Sequence, residues 1–303
     1  MKKLYGVTIP IVTPFHKDQS LDCESIAKIC EWLIQEGVDC LYPCGTTGEM
    51  LRLSTEERKQ IAETVVKTAA GRVPVFIQVG SMCQNDTIEL AKHAHAVGAD
   101  GLGVVTPEFF SATDAELIAY YKAVSASVPE DFPIYLYNIP QCAANDLKPC
   151  VVEELATSCK NIVGIKYSFM DVARTLQYLD VNGGKFSVLH GCDKIFTALL
   201  TMGCDGTVSG CAGVFPEPFV AAYKAYKAGD LETAAKHQKI CVRIVDALKC
   251  GANMSYFKEA LKLRGLPGGW MRAPQLDIDA QEVANLKAEL TAICKDGGFA
   301  LEV

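Results

Sequence analysis

A chain of 303 residues has room for one large α/β barrel or two ordinary domains, and with half of its residues hydrophobic it buries a core rather than staying disordered. A net charge of −7, with no run of Lys and Arg, excludes the clustered positive charge that a nucleic-acid surface needs. Fourteen cysteines, none in a C-x-x-C pair, sit mostly in apolar segments (Cys30, Cys40, Cys44, Cys204, Cys241) and read as small buried hydrophobes in a reducing compartment.

Met1-Lys2-Lys3 opens like an export signal, but Gly6, Pro10 and Pro14 interrupt the next stretch and no small-residue cleavage site follows. No apolar run reaches membrane-spanning length, so a cytoplasmic location is expected. Tyr5 to Phe15, β-branched and punctuated by proline, predicts a strand running into a turn, and Ile26, Ile29, Cys30, Leu33 and Ile34 fall at helical spacing. Gly37 to Gly45 predicts a second strand. Ser54-Thr-Glu-Glu57 is a capping box that opens a helix to about Ala70. The alternation then repeats: strands at residues 73–80, 99–107, 132–140, 161–167, 185–191 and 204–210, with helices at 87–97, 114–126, 148–158, 171–179, 194–202 and 216–228. Beyond that, residues 231–249, 256–263 and 280–294 read as helices with no strand between them. Eight strand-plus-helix units over about 225 residues predict a (β/α)8 barrel, the TIM-barrel fold, across residues 1–228, with a C-terminal helical region across 229–303. A doubly wound sheet is the alternative; it would carry a Gly-x-Gly-x-x-Gly turn after its first strand, and none is present.

In such barrels the reacting groups come from the C-terminal ends of the strands. Those ends supply Gly45, Thr46, Thr47, Gly48 and Glu49 from the second strand, and Thr106, Glu108 and Phe109 from the fourth. The fifth gives Tyr137 and Asn138, the sixth Lys166 and Ser168, the seventh His190, Gly191 and Asp193, and the eighth Ser209 and Gly210. By strand alternation Ile162, Gly164 and Lys166 share one face. An ammonium held there loses solvation, so part of it becomes a neutral, nucleophilic amine near neutral pH. A surface lysine just past a strand end is the other reading. Gly45-Thr-Thr-Gly48 is a tight turn whose amides and two hydroxyls make a nest suited to a carboxylate, or simply a turn. Tyr137 shares a strand face with Tyr135 and stands as a proton relay beside Lys166, or as a packed tyrosine with a satisfied hydroxyl.

No metal or cofactor is expected. His93 and His95, two apart on a helix, face different sides, and His190 with Asp193 does not make a zinc set. A Ser-His-Asp hydrolase would need a Gly-x-Ser-x-Gly elbow, which is missing. The Gly206–Gly213 loop lacks the lysine or arginine a phosphate would call for. A lysine, a tyrosine and an anion nest are the parts of an aldolase working through a Schiff base, with a 2-oxo acid, pyruvate being the smallest, as the bound ketone. A barrel that binds a 2-oxo acid without turning it over is the alternative from a different class.

The motifs Gly45-Thr-Thr-Gly-Glu49, Thr106-Pro107, Tyr137-Asn-Ile-Pro140 and Gly164-Ile-Lys166, spread over essentially the whole chain, resemble the dihydrodipicolinate synthase and N-acetylneuraminate lyase family. The resemblance implies a metal-free lyase or aldolase in a homotetrameric barrel, joining or splitting pyruvate and an aldehyde. Lys166 would be the Schiff-base lysine and Tyr137 the relay, while Thr46 and Thr47 would bind the pyruvate carboxylate or pass protons. The sequence also departs from each branch. Where the synthase branch has an arginine that grips its aldehyde's carboxylate, this chain has Cys142, which cannot form that bidentate pair. The synthase tyrosine offered across a subunit interface is replaced within Glu108-Phe-Phe110, where Phe109 has no hydroxyl. Gly191 and Asp193 stand where the lyase branch binds a polyhydroxylated chain, and Ser168 in place of its threonine. Lys194 replaces that branch's glutamate and Gly210 its serine. Dihydrodipicolinate synthesis proper remains the second reading of the resemblance.

Overall fold

The computed structural model describes residues 1–301. Eight parallel strands form one sheet: β1 (Gly6–Ile9), β2 (Cys40–Leu41), β3 (Phe76–Gln78), β4 (Gly101–Val105), β5 (Ile134–Asn138), β6 (Ile162–Tyr167), β7 (Ser187–His190) and β8 (Gly206–Val208). Their order is β2-β1-β8-β7-β6-β5-β4-β3. A parallel bridge between Leu41 and Val75 joins the two edges, with the Leu41 N–H donating to Pro74 O at 3.0 Å and the Gln78 N–H to Pro43 O at 3.1 Å. The sheet therefore closes into the expected barrel. The strands are shorter than the apolar runs that announce them, because each run continues into the loop beyond the last ladder bond.

Strand alternation sorts the side chains into two cores. Leu4, Cys40, Tyr42, Phe76, Tyr135, Leu189 and Val208 fill the inside of the barrel. Residues at intervening positions, such as Ile134, Leu136, Ile165 and Val188, pack outward against the helices in the large outer core. One sequence expectation fails here. The β5–β6 pairing shifts register, with Ile134 opposite Ile162 but Tyr135 opposite Gly164, so Val163 is an extra residue in the ladder. Ile162 joins the outer core and Val163 packs against the inner one, so Ile162 does not share a face with Gly164 and Lys166.

The helices begin where local chemistry starts them. Ser54 and Glu57 form the expected capping box at the head of helix Thr55–Ala69, and Thr113 with Glu116 forms another before Asp114–Ser125. Asp22, Asp171, Asp230 and Asp279 each accept the N–H three residues on, a bond worth about 1 kcal/mol per cap. The helix expected from Lys194 starts instead as a 3-10 turn, Asp193–Ile195, and becomes α-helical over Phe196–Thr201.

Three further helices follow the barrel: Leu231–Ala247, Met254–Leu263 and Ala280–Gly297. Ile240, Ile244, Phe257, Leu261, Leu286 and Leu290 belong to the same outer core as the barrel helices. The last two residues of the expected C-terminal region, 302 and 303, lie outside the described ones. The fourteen cysteines are free thiols, and Cys30, Cys40, Cys44, Cys204 and Cys241 are buried as expected. Among the described residues no helix is long and apolar enough to cross a membrane.

Candidate active site

A cavity of about 590 Å³ opens at the C-terminal end of the barrel. Thr46, Thr47, Tyr137, Lys166, Ser168, Gly191, Asp193 and Gly210 all line it, so strand ends far apart in sequence converge on one space. Lys166 and Tyr137 are direct register partners on β6 and β5. The Lys166 Nζ lies 3.9 Å from the centroid of the Tyr137 ring and 5.1 Å from that of Tyr42. The Tyr137 hydroxyl shares a 2.9 Å hydrogen bond with the Thr46 hydroxyl, which ties β5 to the turn after β2.

Burial decides the charge of Lys166. Only 4 % of the residue is exposed, and desolvation pulls its ammonium down to about 7, against the attraction of Asp193, which favours the charged form. That displacement from 10.5 corresponds to about 5 kcal/mol, so the loss of water outweighs the nearby carboxylate. Asp193 is pushed up to about 6 by burial, held back by hydrogen bonds from Ser209, Cys211 and Thr207 and by Lys166. The Thr207 hydroxyl donates to its Oδ1 at 3.3 Å. Burial likewise raises the Tyr137 phenol, which keeps it protonated at neutral pH.

The remaining strand-end residues divide clearly. Gly48 stands behind the lining: its carbonyl accepts from Thr13 Oγ1 at 2.7 Å, and it shapes the turn rather than facing the cavity. Glu49 is buried in an ion pair with Lys258. Asn138 gives its amide to Asp146 and Tyr178, and Ser209 Oγ accepts from the Ala212 N–H. His190 faces the outer core, its Nε2 3.1 Å from Thr175 Oγ1 and its basicity pulled down to about 4 by burial. It is a packed neutral imidazole. Glu108 is buried and raised by burial, with Arg58 opposing, whereas Phe109 is 79 % exposed.

Other residues around the cavity were not singled out from the sequence. Tyr42, in the core inside the barrel, reaches beneath Lys166, in space that Gly103 leaves open: a Cβ on Gly103 would fall 1.6 Å from the Tyr42 hydroxyl. Counting by two from inward Cys40 reaches Tyr42, so this one was legible in principle. Val245, Cys250, Met254 and Phe257 come from the C-terminal helices and their connection, and nothing local marks them as cavity residues. Cys142 and Gln141 line the side above Tyr137, where the Gln141 amide holds Ser168 O at 2.6 Å. Lys194 lines the rim, and its ammonium is paired with Asp246.

Comparison with known proteins agrees with this fold. An uncharacterized DapA-like lyase of Halobacterium salinarum is 37% identical over 287 residues, covering 95% of this chain and 93% of its own. An Escherichia coli protein named "Probable 2-dehydro-3-deoxy-D-pentonate aldolase YjhH" is 34% identical over 295 residues, covering 96% and 97%. The crystal structure of YagE from Escherichia coli, a prophage protein of the dihydrodipicolinic acid synthase family in complex with pyruvate, superposes with a TM-score of 0.91 at 34% identity, covering 96% of this chain and 99% of that one. The family model described as the dihydrodipicolinate synthetase family matches residues 3–293. With lysine, tyrosine and threonine strand ends gathered in a barrel that matches its relatives almost end to end, the chain belongs to the dihydrodipicolinate synthetase family of lyases and aldolases.

Proposed function

We propose that the protein is a class I, metal-free aldolase or lyase that holds pyruvate as an imine on Lys166 and joins it to, or releases it from, an aldehyde. The observation that carries this reading is the buried Lys166 amine, about half of it uncharged at pH 7, facing a protonated Tyr137 that is bonded to Thr46. The neutral Nζ adds to the C2 carbonyl of pyruvate, Tyr137 protonates the oxygen, and water leaves as the imine forms. The iminium acidifies C3, whose proton passes to the Tyr137 phenolate left by that step, and the resulting enamine attacks the aldehyde carbon. The aldehyde oxygen becomes an alkoxide and takes a proton from Tyr137 through the Thr46 hydroxyl, and water then frees Lys166 and returns a proton to Tyr137. Thr46 and Thr47, on the turn after β2, receive the carboxylate. Asp193, Ser168, Gly191 and Gly210 border the aldehyde end.

That aldehyde is uncharged and short. Cys142 offers no bidentate grip for a second carboxylate, and the Lys194 charge is already matched by Asp246. The named activity of YjhH, on a 2-dehydro-3-deoxy sugar acid, supports a hydroxylated aldehyde; Cys142 in place of an arginine is what disfavours the synthase reaction. The homotetramer belongs to the same reading. Phe109, in a left-handed conformation (φ 71°), and Phe110 stack edge to face at 5.0 Å on the surface, which suits a subunit contact. Incubation with pyruvate and borohydride, followed by peptide mass analysis, tests the reading: a reduced pyruvyl adduct on Lys166 is expected, and its absence sinks the proposal. Turnover of pyruvate with a panel of short aldehydes separates an enzyme from a binding-only barrel.

A further inference from the structure

The turn bearing Thr46 and Thr47 is fastened from outside the barrel. Glu49 closes it: the Glu49 N–H donates to Thr46 O at 3.0 Å, the Met50 N–H to Gly45 O at 3.3 Å, and Glu49 itself takes a left-handed conformation (φ 59°). Its carboxylate is fully buried, with one oxygen 2.6 Å from the equally buried Lys258 Nζ and the other 2.8 Å from Arg52 Nη1. Lys258 lies on helix Met254–Leu263, beyond the eighth barrel unit. A hydrogen bond donated to Trp270 O at 2.7 Å and the Phe15 ring at 4.6 Å also fix the ammonium in place. The preceding residue on that helix, Phe257, lines the cavity. It meets Thr47 around Gly210, where a Cβ would be 3.0 Å from Thr47 Oγ1 and 3.1 Å from the Phe257 ring.

Two consecutive helix residues thus reach the same turn, one through its buried base and one through its cavity face. A buried ion pair is often replaceable without loss of stability, so its presence here asks for another account. We propose that Lys258 is a positioning residue for the carboxylate end of the substrate: through Glu49 it sets the turn that presents Thr46 and Thr47. The proposal rests on the reading of the cavity as a 2-oxo-acid site. It makes the C-terminal helix part of substrate selection as well as of the core.

The experiment compares imine formation with pyruvate and with acetone, a ketone that has no carboxylate to place. Three proteins are used: the full chain, Lys258→Met, and Lys258→Met/Glu49→Gln, which removes the pair without leaving a lone buried charge. Both variants are expected to need about tenfold or more pyruvate for half-maximal borohydride trapping, with the acetone dependence unchanged. The double variant is expected to melt within a few degrees of the full chain. Wild-type pyruvate dependence in the double variant overturns the proposal, and so does an equal loss for pyruvate and acetone. Failure of both variants to fold assigns the pair to stability alone and also overturns it. If the unaltered protein traps neither ketone, the aldolase reading itself has failed and this inference falls with it.

Discussion

Lys166 Nζ sits 3.9 Å from the face of the Tyr137 ring, and the two residues are neighbours across a single β5–β6 rung. A ring face attracts a cation by about 2 kcal/mol when water is excluded, which is less than the net displacement of roughly 5 kcal/mol that desolvation leaves after the opposing pull of Asp193. The tyrosine therefore holds the lysine in place without keeping it charged. The proposed nucleophile and its proposed proton donor are set side by side by backbone pairing, before any substrate arrives.

If the free amine is the reacting form, imine formation rises with pH through about 7 and levels off above it. Asp193 favours the ammonium, so Asp193→Asn removes that pull and lowers the lysine further. The acid limb of the rate profile is expected to move to lower pH in the variant. Trapping rates measured between pH 5 and 9 check this, and an unmoved or raised limb contradicts it.

Lys166 also burdens the fold. Its folded value lies below its unfolded one, so the unfolded chain binds the extra proton between about 7 and 10.5. The destabilisation is full below about 7 and fades as pH rises toward 10.5. Lys166→Met is expected to abolish adduct formation while raising the melting temperature, by more at pH 6 than at pH 9. Each pH unit in that window is worth about 1.4 kcal/mol. Thermal melts at the two pH values read the difference directly.

Tyr137→Phe keeps the ring against Lys166 and removes the hydroxyl that meets Thr46 at 2.9 Å. Turnover is expected to fall by about 10² to 10³, the usual scale for losing one positioned acid–base group, while slow adduct formation persists. Steady-state rates together with adduct mass distinguish this from a folding defect, which would remove both.

Gly191 leaves room for Ser168: a Cβ there would lie 2.2 Å from the serine Oγ and 2.9 Å from its Cβ. Gly191→Ala must therefore turn the Ser168 hydroxyl and push the serine's backbone back from the proposed aldehyde end. The expected result is a KM for the aldehyde raised by about tenfold with pyruvate trapping unchanged. Equal losses for both substrates would show that Gly191 serves the whole cavity instead.

The barrel, the capped helix start at Ser54 and most of the residues that line the cavity were legible because each depends on local pattern. Period-two runs set the strands, Ser54 with Glu57 starts a helix, and a lysine ending an apolar strand falls at the mouth of any such barrel. The face of Ile162 was misread because a one-residue register shift leaves no mark in composition, only in the pairing of β5 with β6.

By itself, then, the sequence determined the architecture and the identity of the amine, the phenol and the threonine turn, since these ride on short-range periodicity and motif. Only the tertiary structure decided how strongly Lys166 is desolvated, that Tyr137 bonds Thr46, and that Glu49 turns away from the cavity to meet Lys258. Those are consequences of burial and of contacts across two hundred residues of chain, and no local pattern encodes the loss of water or the approach of a distant helix.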